Sequence, residues 1–236
     1  MRLIDVDSLE LKLFNDDELP EYAILSHTWG DGEALENSQK SFTSRPGYQK
    51  IFKCAQTAKR LGLRYIWVDT CCIDKTSSAE LQEAINSMYR YYKNSSICLV
   101  YLCDAKPVEH RFMLASSRWI TRGWTLQELI APRAIEFYAH DWSHLCNKTE
   151  WMDELSEVTG IPANILKTCD PSQACIAERM SWASKRSTTR IEDRAYCLLG
   201  LFDLQMPMLY GEGEKAFFRL QEGILKTSDD YSIFAW

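Results

Sequence analysis

The chain has 236 residues, with 27 Lys and Arg against 33 Asp and Glu for a formal net charge of −6. No basic block is long enough to give the cationic footprint of phosphate-backbone binding, so nucleic acid is not an expected partner. Hydrophobic residues make up 46% and charged residues 25%, which excludes a disordered or low-complexity chain, and at this length one large domain, or a domain with an appended helical subdomain, is expected rather than two independent folds.

No apolar run approaches the ~18 residues of a bilayer span, and the opening Met1-Arg2-Leu3-Ile4-Asp5 lacks the basic-then-apolar order of a signal peptide. No membrane partner is expected. The nine Cys form no C-x-x-C pair, and several sit inside apolar runs (Cys71, Cys72, Cys98, Cys197). They read as reduced, mostly buried thiols of a cytoplasmic protein.

Residues 1–21 mix carboxylates with a short apolar pattern. Tyr22–Leu25 then reads as a strand that delivers the polar stretch Ser26-His-Thr-Trp-Gly30. Asp31–Tyr48 reads as a loop, followed by a helix from about Gln49 to Leu61 that Gly62 ends. Arg64–Ile73 is a near-continuous apolar run suited to a strand covered on both faces, with helices on either side. After Asp74, Thr76-Ser-Ser-Ala-Glu80 is a helix-start signature, and Leu81, Ile85, Met88 and Tyr92 follow at helical spacing.

Ser96–Leu102 is the third expected strand, Trp119–Leu129 a helix, and Ala134–Tyr138 the fourth strand. Such alternation, with one-helix crossovers, implies a parallel, doubly wound sheet. Beyond Trp142 the periodicity becomes helical around 150–159, 178–183, 192–202 and 214–225, with turns at Gly160-Ile-Pro162, Asp170-Pro171 and Gly211-Glu-Gly213. A mainly helical subdomain is expected there.

Four segments together carry a resemblance: Tyr22–Gly30, Tyr65–Asp74, Arg122–Pro132 and Asp193–Phe202, extended by Met206–Phe217. They resemble the heterokaryon incompatibility (HET) domain over nearly the whole chain and in the right order. Cys71-Cys72-Ile-Asp74-Lys75 looks most like the HET domains fused in front of a nucleotide-binding oligomerisation module in fungal incompatibility proteins. The resemblance implies a cell-death effector of fungal allorecognition and innate immunity, normally under the control of such a sensing module, fused or in trans. The chain ends at Asp230–Trp236 on an apolar stretch with no linker, so it is expected to be a domain of, or a shortened relative of, a longer receptor.

HET domains look distantly similar to TIR domains, several of which cleave NAD+ at the nicotinamide glycosidic bond. The likeness is strongest at Ser117–Leu129, which resembles the TIR pattern of a Ser, then Trp-Cys, then Glu-Leu; Thr125 replaces the Cys. It implies an α/β fold with a TIR-like, flavodoxin-like parallel sheet over residues 1–145 and a helical extension over 146–236. It also implies NAD+ as a substrate rather than a cofactor, and activation by self-association. The alternative is a non-catalytic module that transmits a death signal by assembling.

Ligands of doubly wound sheets sit at the carboxyl ends of the strands. Ser26, His27 and Trp29 follow the first strand, Asp69 and Asp74 end the second, and Trp124 and Glu128 are four apart and share a helix face. Glu128 is the expected catalytic carboxylate, with Ser26, His27, Trp29, Asp69, Asp74 and Trp124 as substrate contacts. Nicotinamide leaves as a neutral molecule from a cationic substrate, so one carboxylate facing the developing charge suffices.

Blander readings compete. Glu128 could pair with Arg122 or Arg133, the tryptophans could be core, Asp69 could cap a helix, and Glu80 is favoured at its helix start by the dipole alone. His140-x₃-His144-x-Cys146 lacks a clear fourth ligand, so no metal is assigned. Gly211-Glu-Gly213 lacks the ending of a phosphate loop. Lys185, Arg186, Arg190 and Arg194 read as a solvated helix face, Cys71 and Cys72 as inert thiols, and Asp193 with Arg194 as ties between the two halves rather than substrate contacts.

Overall fold

The computed structural model describes residues 1–28, 46–106 and 114–235. Seven strands form one mixed sheet: β1 (Arg2–Asp5), β2 (Leu11–Leu13), β3 (Tyr22–His27), β4 (Tyr65–Trp67), β5 (Ile97–Tyr101), β6 (Ile135–Tyr138) and β7 (His144–Asn147), in the order β2-β1-β4-β3-β5-β6-β7. The inner four are parallel, as the strand-helix alternation predicts. Both edges are antiparallel, which corrects the expectation of an all-parallel sheet.

The N-terminal edge escaped the sequence reading because its carboxylates mask two short strands. Asp5 is buried at the end of β1 and collects the backbone amides of Asp7 and Ser8, the Lys12 ammonium at 2.7 Å and the Arg64 guanidinium at 3.2 Å. Chiefly through Lys12, these donors hold its carboxyl well below the usual range. One buried charge thereby ties the β1–β2 turn to the chain entering β4.

Helix α1 (Pro46–Arg60) starts three residues earlier than the periodicity suggests, on a proline suited to a first helical position, and ends before Gly62 at a φ of 82°. The run 64–73 is only briefly a strand. It leaves β4 at Trp67 and turns into a single helical turn, α2 (Asp69–Cys72), in which the Cys72 amide reaches back to Val68 O at 2.8 Å. The strand covered on both faces is instead β3, buried along its whole length between β4 and β5.

Helix α3 (Ser78–Asn94) is capped by Ser77 and buries Ile85, Met88 and Tyr92. The helix expected over 119–129 is broken into α4 (Arg118–Thr121) and α5 (Thr125–Ile130). At the break the Gly123 amide donates to Ser187 O at 2.8 Å instead of continuing a helical ladder. Glycine is required there, because a Cβ would lie 2.5 Å from the Thr188 side chain.

The C-terminal part holds α6 (Met152–Thr159), α7 (Ala163–Thr168), α8 (Ile176–Ala183), α9 (Asp193–Tyr196) and α10 (Lys215–Thr227). The expected helix over 192–202 is the short α9 followed by a 3₁₀ turn at Leu199–Leu201. That turn packs on α3, and Asn86 of α3 pairs with both backbone groups of Met206 at 3.0 Å. The helical segment is thus fastened over the carboxyl ends of the parallel strands.

Candidate active site

Among the parallel strands the chain order reverses between β3 and β5, since β4 lies on one side of β3 and β5 and β6 on the other. Such a switch point opens a crevice at the strands' carboxyl ends. A cavity of about 360 Å3 occupies it, lined by His27 of β3, Asp69 of α2, Leu81, Ile85, Met88 and Tyr92 of α3, Glu128 of α5 and residues of the helical segment. The volume lies within the ~300–1,000 Å3 of small-molecule sites.

Glu128 is 7% exposed. Ser26 Oγ, buried at the end of β3, donates to Glu128 Oε2, and the Trp119 indole N–H donates to Ser26 Oγ at 2.7 Å. Burial pushes the Glu128 carboxyl up to about 8, reinforced by the negative Asp69 and opposed by the Ser26 hydrogen bond and the Arg122 charge. The carboxyl therefore rests largely protonated at neutral pH, ready to ionise when positive charge arrives.

His27 joins two groups. Lys50 Nζ of α1 lies 3.0 Å from His27 Nδ1, and His27 Nε2 lies 3.1 Å from Asp69 Oδ1. An ammonium only donates, so Nδ1 is the acceptor and the ring carries its hydrogen on Nε2, directed at Asp69. Asp69 stands at the start of α2 with its side chain 22% exposed, on the cavity wall.

The opposite wall comes from residues that the sequence reading placed elsewhere. Asp193 lines the cavity beside Trp124 and accepts from the Tyr210 hydroxyl at 2.9 Å, and burial raises its carboxyl. Asp193, expected from sequence to tie the two halves, thus also stands on the cavity wall. Arg190 lies over the Tyr210 ring at 4.5 Å and lines the same cavity with Arg122 and Lys75. Burial lowers the Lys75 ammonium. The neighbouring Asp193-Arg194 pair and the turn Tyr210-Gly211 stood out in the sequence for their motif, but no spacing rule connects them across the fold to Glu128.

Of the expected site residues, His27, Asp69, Trp124 and Glu128 line the cavity and Ser26 supports Glu128 from behind. Asp74 does not join them. Its exposed carboxylate accepts from the Thr76 amide at 2.9 Å and hydroxyl at 2.6 Å, shaping the turn before α3. Trp29 lies outside the described residues. Glu80 accepts from the Asp74 amide at 2.8 Å and pairs with Arg2, a structural role as the helix-start reading suggests.

Arg186 departs from the solvated face assigned to it, for its guanidinium turns inward to Arg122 O and Thr125 Oγ1, each at 2.9 Å. His140 and His144 have separate partners: His144 sits on β7 against Glu136 at 2.5 Å, whereas His140 Nδ1 faces Ala105 O at 2.8 Å. Among the described residues no group of three or more His, Cys, Asp or Glu is placed to hold a metal ion. Burial pushes the Cys71 thiol up to about 11 and Cys72 higher still, away from nucleophilic character.

The site thus combines three carboxyl groups, three cations and the aromatic side chains Trp124, Tyr92 and Tyr210 on an apolar floor. Residues 22–114, which supply β3, α1, α3 and β5, match the family model described as heterokaryon incompatibility protein (HET). The vegetative incompatibility protein HET-E-1 of Podospora anserina is 43% identical over 244 residues, covering 96% of this chain. The chain is a HET domain. It spans 18% of the length of that relative, and no solved structure matches it. Among the described residues no helix of this HET domain is long and apolar enough to cross a membrane.

Proposed function

We propose that this HET domain is a cell-death effector that acts as a TIR-like NAD+ glycohydrolase. The observation that carries the reading is Glu128: a buried carboxyl in a cavity at the switch point of a parallel sheet, held by Ser26 and facing a space lined by cations and aromatic rings. The parallel-strand order, second-first-third-fourth in chain sequence, is also that of flavodoxin-type sheets.

NAD+ matches the two-sided chemistry. Its nicotinamide ring is cationic and flat, suiting Glu128 and the indole of Trp124, and its diphosphate is anionic, suiting Arg122, Arg190 and Lys75. In the reaction the bond between ribose C1′ and the ring nitrogen breaks and its electron pair returns to nicotinamide, which leaves neutral. Water adds to C1′ and gives up a proton. Glu128 drops its own proton to solvent as the cationic ring enters, and its charge then opposes the positive charge spreading over the ribose. In this reading Asp69, steadied by His27, accepts from a ribose hydroxyl.

Incubation of the concentrated protein with NAD+, with chromatographic detection of free nicotinamide, tests this directly. Nicotinamide release that rises more than linearly with protein concentration supports activation by self-association. No release at any concentration defeats the enzymatic reading. The second reading is a non-catalytic assembly module, and it draws on the apolar side chains left exposed in the C-terminal part: Phe218, Tyr231 and Phe234 are 63%, 75% and 73% exposed.

A further inference from the structure

Behind the break between α4 and α5 lies a second cavity of about 130 Å3, bounded by Gly123, α8, the 184–188 segment, α9 and Phe217 of α10. It is well below the ~300 Å3 at which drug-sized ligands fit, so it holds a single small group.

Its charged lining has one sign. Arg186 and Arg194 face it and no carboxylate does, in a chain whose net charge is −6. Among the described residues neither guanidinium is ion-paired with an acid. Arg186 spends Nη1 on the carbonyl of Arg122 and the hydroxyl of Thr125, while its Nη2 is buried without a hydrogen-bond partner. Burial without a counter-charge brings the Arg186 guanidinium down to about 10. Arg194 is exposed and lies 5.9 Å over the Phe217 ring. The two hydroxyls on the rim, Ser184 and Thr188, already donate to Ser181 O at 2.7 Å and Arg190 O at 2.6 Å. Recognition therefore falls to the two arginines. An uncompensated buried cation is costly, and an anion that neutralises it is stabilising.

We propose that this cavity binds a phosphate group between Arg186 and Arg194, at a site separate from the cavity of Glu128. Planar guanidinium forks suit phosphate oxygens, and an anion there supplies the counter-charge that the protein does not. The site communicates with α5 through one side chain: Arg186 grips Arg122 O and Thr125 Oγ1, at the start of the helix that carries Glu128. Occupancy steadies that helix start.

The test is titration calorimetry of the protein with inorganic phosphate, and in parallel with ribose 5-phosphate, at constant ionic strength in chloride. Binding in the millimolar range or tighter is expected for at least one, and the tighter of the two shows whether the group is read free or as a monoester. Arg194→Gln should weaken it about ten-fold or more, the loss of one charge-assisted fork, while melting normally because the side chain is exposed. Arg194→Lys keeps the charge without the fork and should bind at intermediate strength. Arg190→Gln, which alters the larger cavity, should leave the Arg194-dependent component of the binding in place. The proposal is overturned if neither compound binds the parent protein, if Arg194→Gln binds as the parent does, or if Arg190→Gln abolishes binding. Because no step depends on NAD+ turnover, this outcome is independent of the glycohydrolase reading.

Discussion

Ser26 donates its hydroxyl hydrogen to Glu128 and at the same time accepts the Trp119 indole N–H at 2.7 Å. One side chain at the end of β3 thus holds an indole that can only donate and the carboxyl 102 residues further along the chain. β3 and the α4–α5 break are thereby locked to one another at the bottom of the cavity.

That arrangement makes Glu128 a cost to stability that grows with pH. Its carboxyl is raised from 4.5 to about 8 in the fold, so the unfolded chain ionises first. The contribution of this group is fully favourable below pH ~4.5 and is lost as pH rises through about 8. Glu128→Gln removes the penalty while keeping the shape. The variant should melt close to the parent at pH 5 and above it at pH 8.5, by an amount on the order of a few kcal/mol. Equal melting shifts at both pH values would contradict the buried, proton-retaining carboxyl.

Lys50 sets the tautomer of His27. Since the ammonium donates to Nδ1, nitrogen-15 NMR of the parent should show a ring protonated on Nε2 and bare on Nδ1. Lys50→Met removes the donor and should let the other tautomer appear. If NADase activity is present, this variant should lose part of it by a rise in KM, because Asp69 is no longer held by a fixed N–H. A ring protonated on Nδ1 in the parent would refute the arrangement.

The helical segment is fastened to the α/β part by shape more than by charge. Arg194, the fork expected from sequence to tie them, is exposed and unpaired with any acid among the described residues, so Arg194→Ala should change stability by no more than about 0.5 kcal/mol. Gly200 is the sensitive position. A Cβ there would lie 2.1 Å from the Tyr89 Cβ of α3, so Gly200→Ala should cost about 1–3 kcal/mol or more in denaturant unfolding. Asn86→Ala, which orphans the Met206 backbone groups, should cost about 1–3 kcal/mol as well. Unaltered midpoints in both would mean that the segment docks elsewhere.

Sequence made the parallel centre legible because β3, β5 and β6 are short, mainly apolar segments rich in β-branched and aromatic residues and separated by helical spacing, and such patterning reports burial. It misread 64–73, because an apolar stretch fits a strand and a buried helical turn equally well and periodicity cannot separate them over so few residues. It missed β1, β2 and β7, which lie toward the two margins of the sheet and carry polar side chains such as Lys12 and His144 among the strand residues. At the cavity, the grouping of Ser26, His27, Asp69, Trp124 and Glu128 was legible because strand ends and one helix face bring them together by local rules. Asp193, Arg190, Tyr210 and Lys50 were not, since their places depend on how a distant segment folds back over the sheet.

The decisive prediction concerns the charge of Glu128 in the proposed NAD+ cleavage. The free protein holds this carboxyl protonated until about pH 8, and only the ionised form can oppose positive charge on a ribose. In the glycohydrolase reading, kcat/KM should therefore rise with pH and level off above about 8. The limb in kcat should lie lower, because the cationic nicotinamide favours the ionised carboxyl once bound. Glu128→Gln keeps a partner for Ser26 but has no charge to develop, so it should lose on the order of 10²–10³ in kcat and lose the rising limb with it. Asp193→Asn, whose carboxyl is held by the Tyr210 hydroxyl elsewhere on the cavity wall, should cost far less. Rates measured beside thermal melts separate lost chemistry from lost fold. A folded Glu128→Gln protein that still releases nicotinamide at the parent rate would remove the carboxylate from the mechanism and leave the assembly reading in its place.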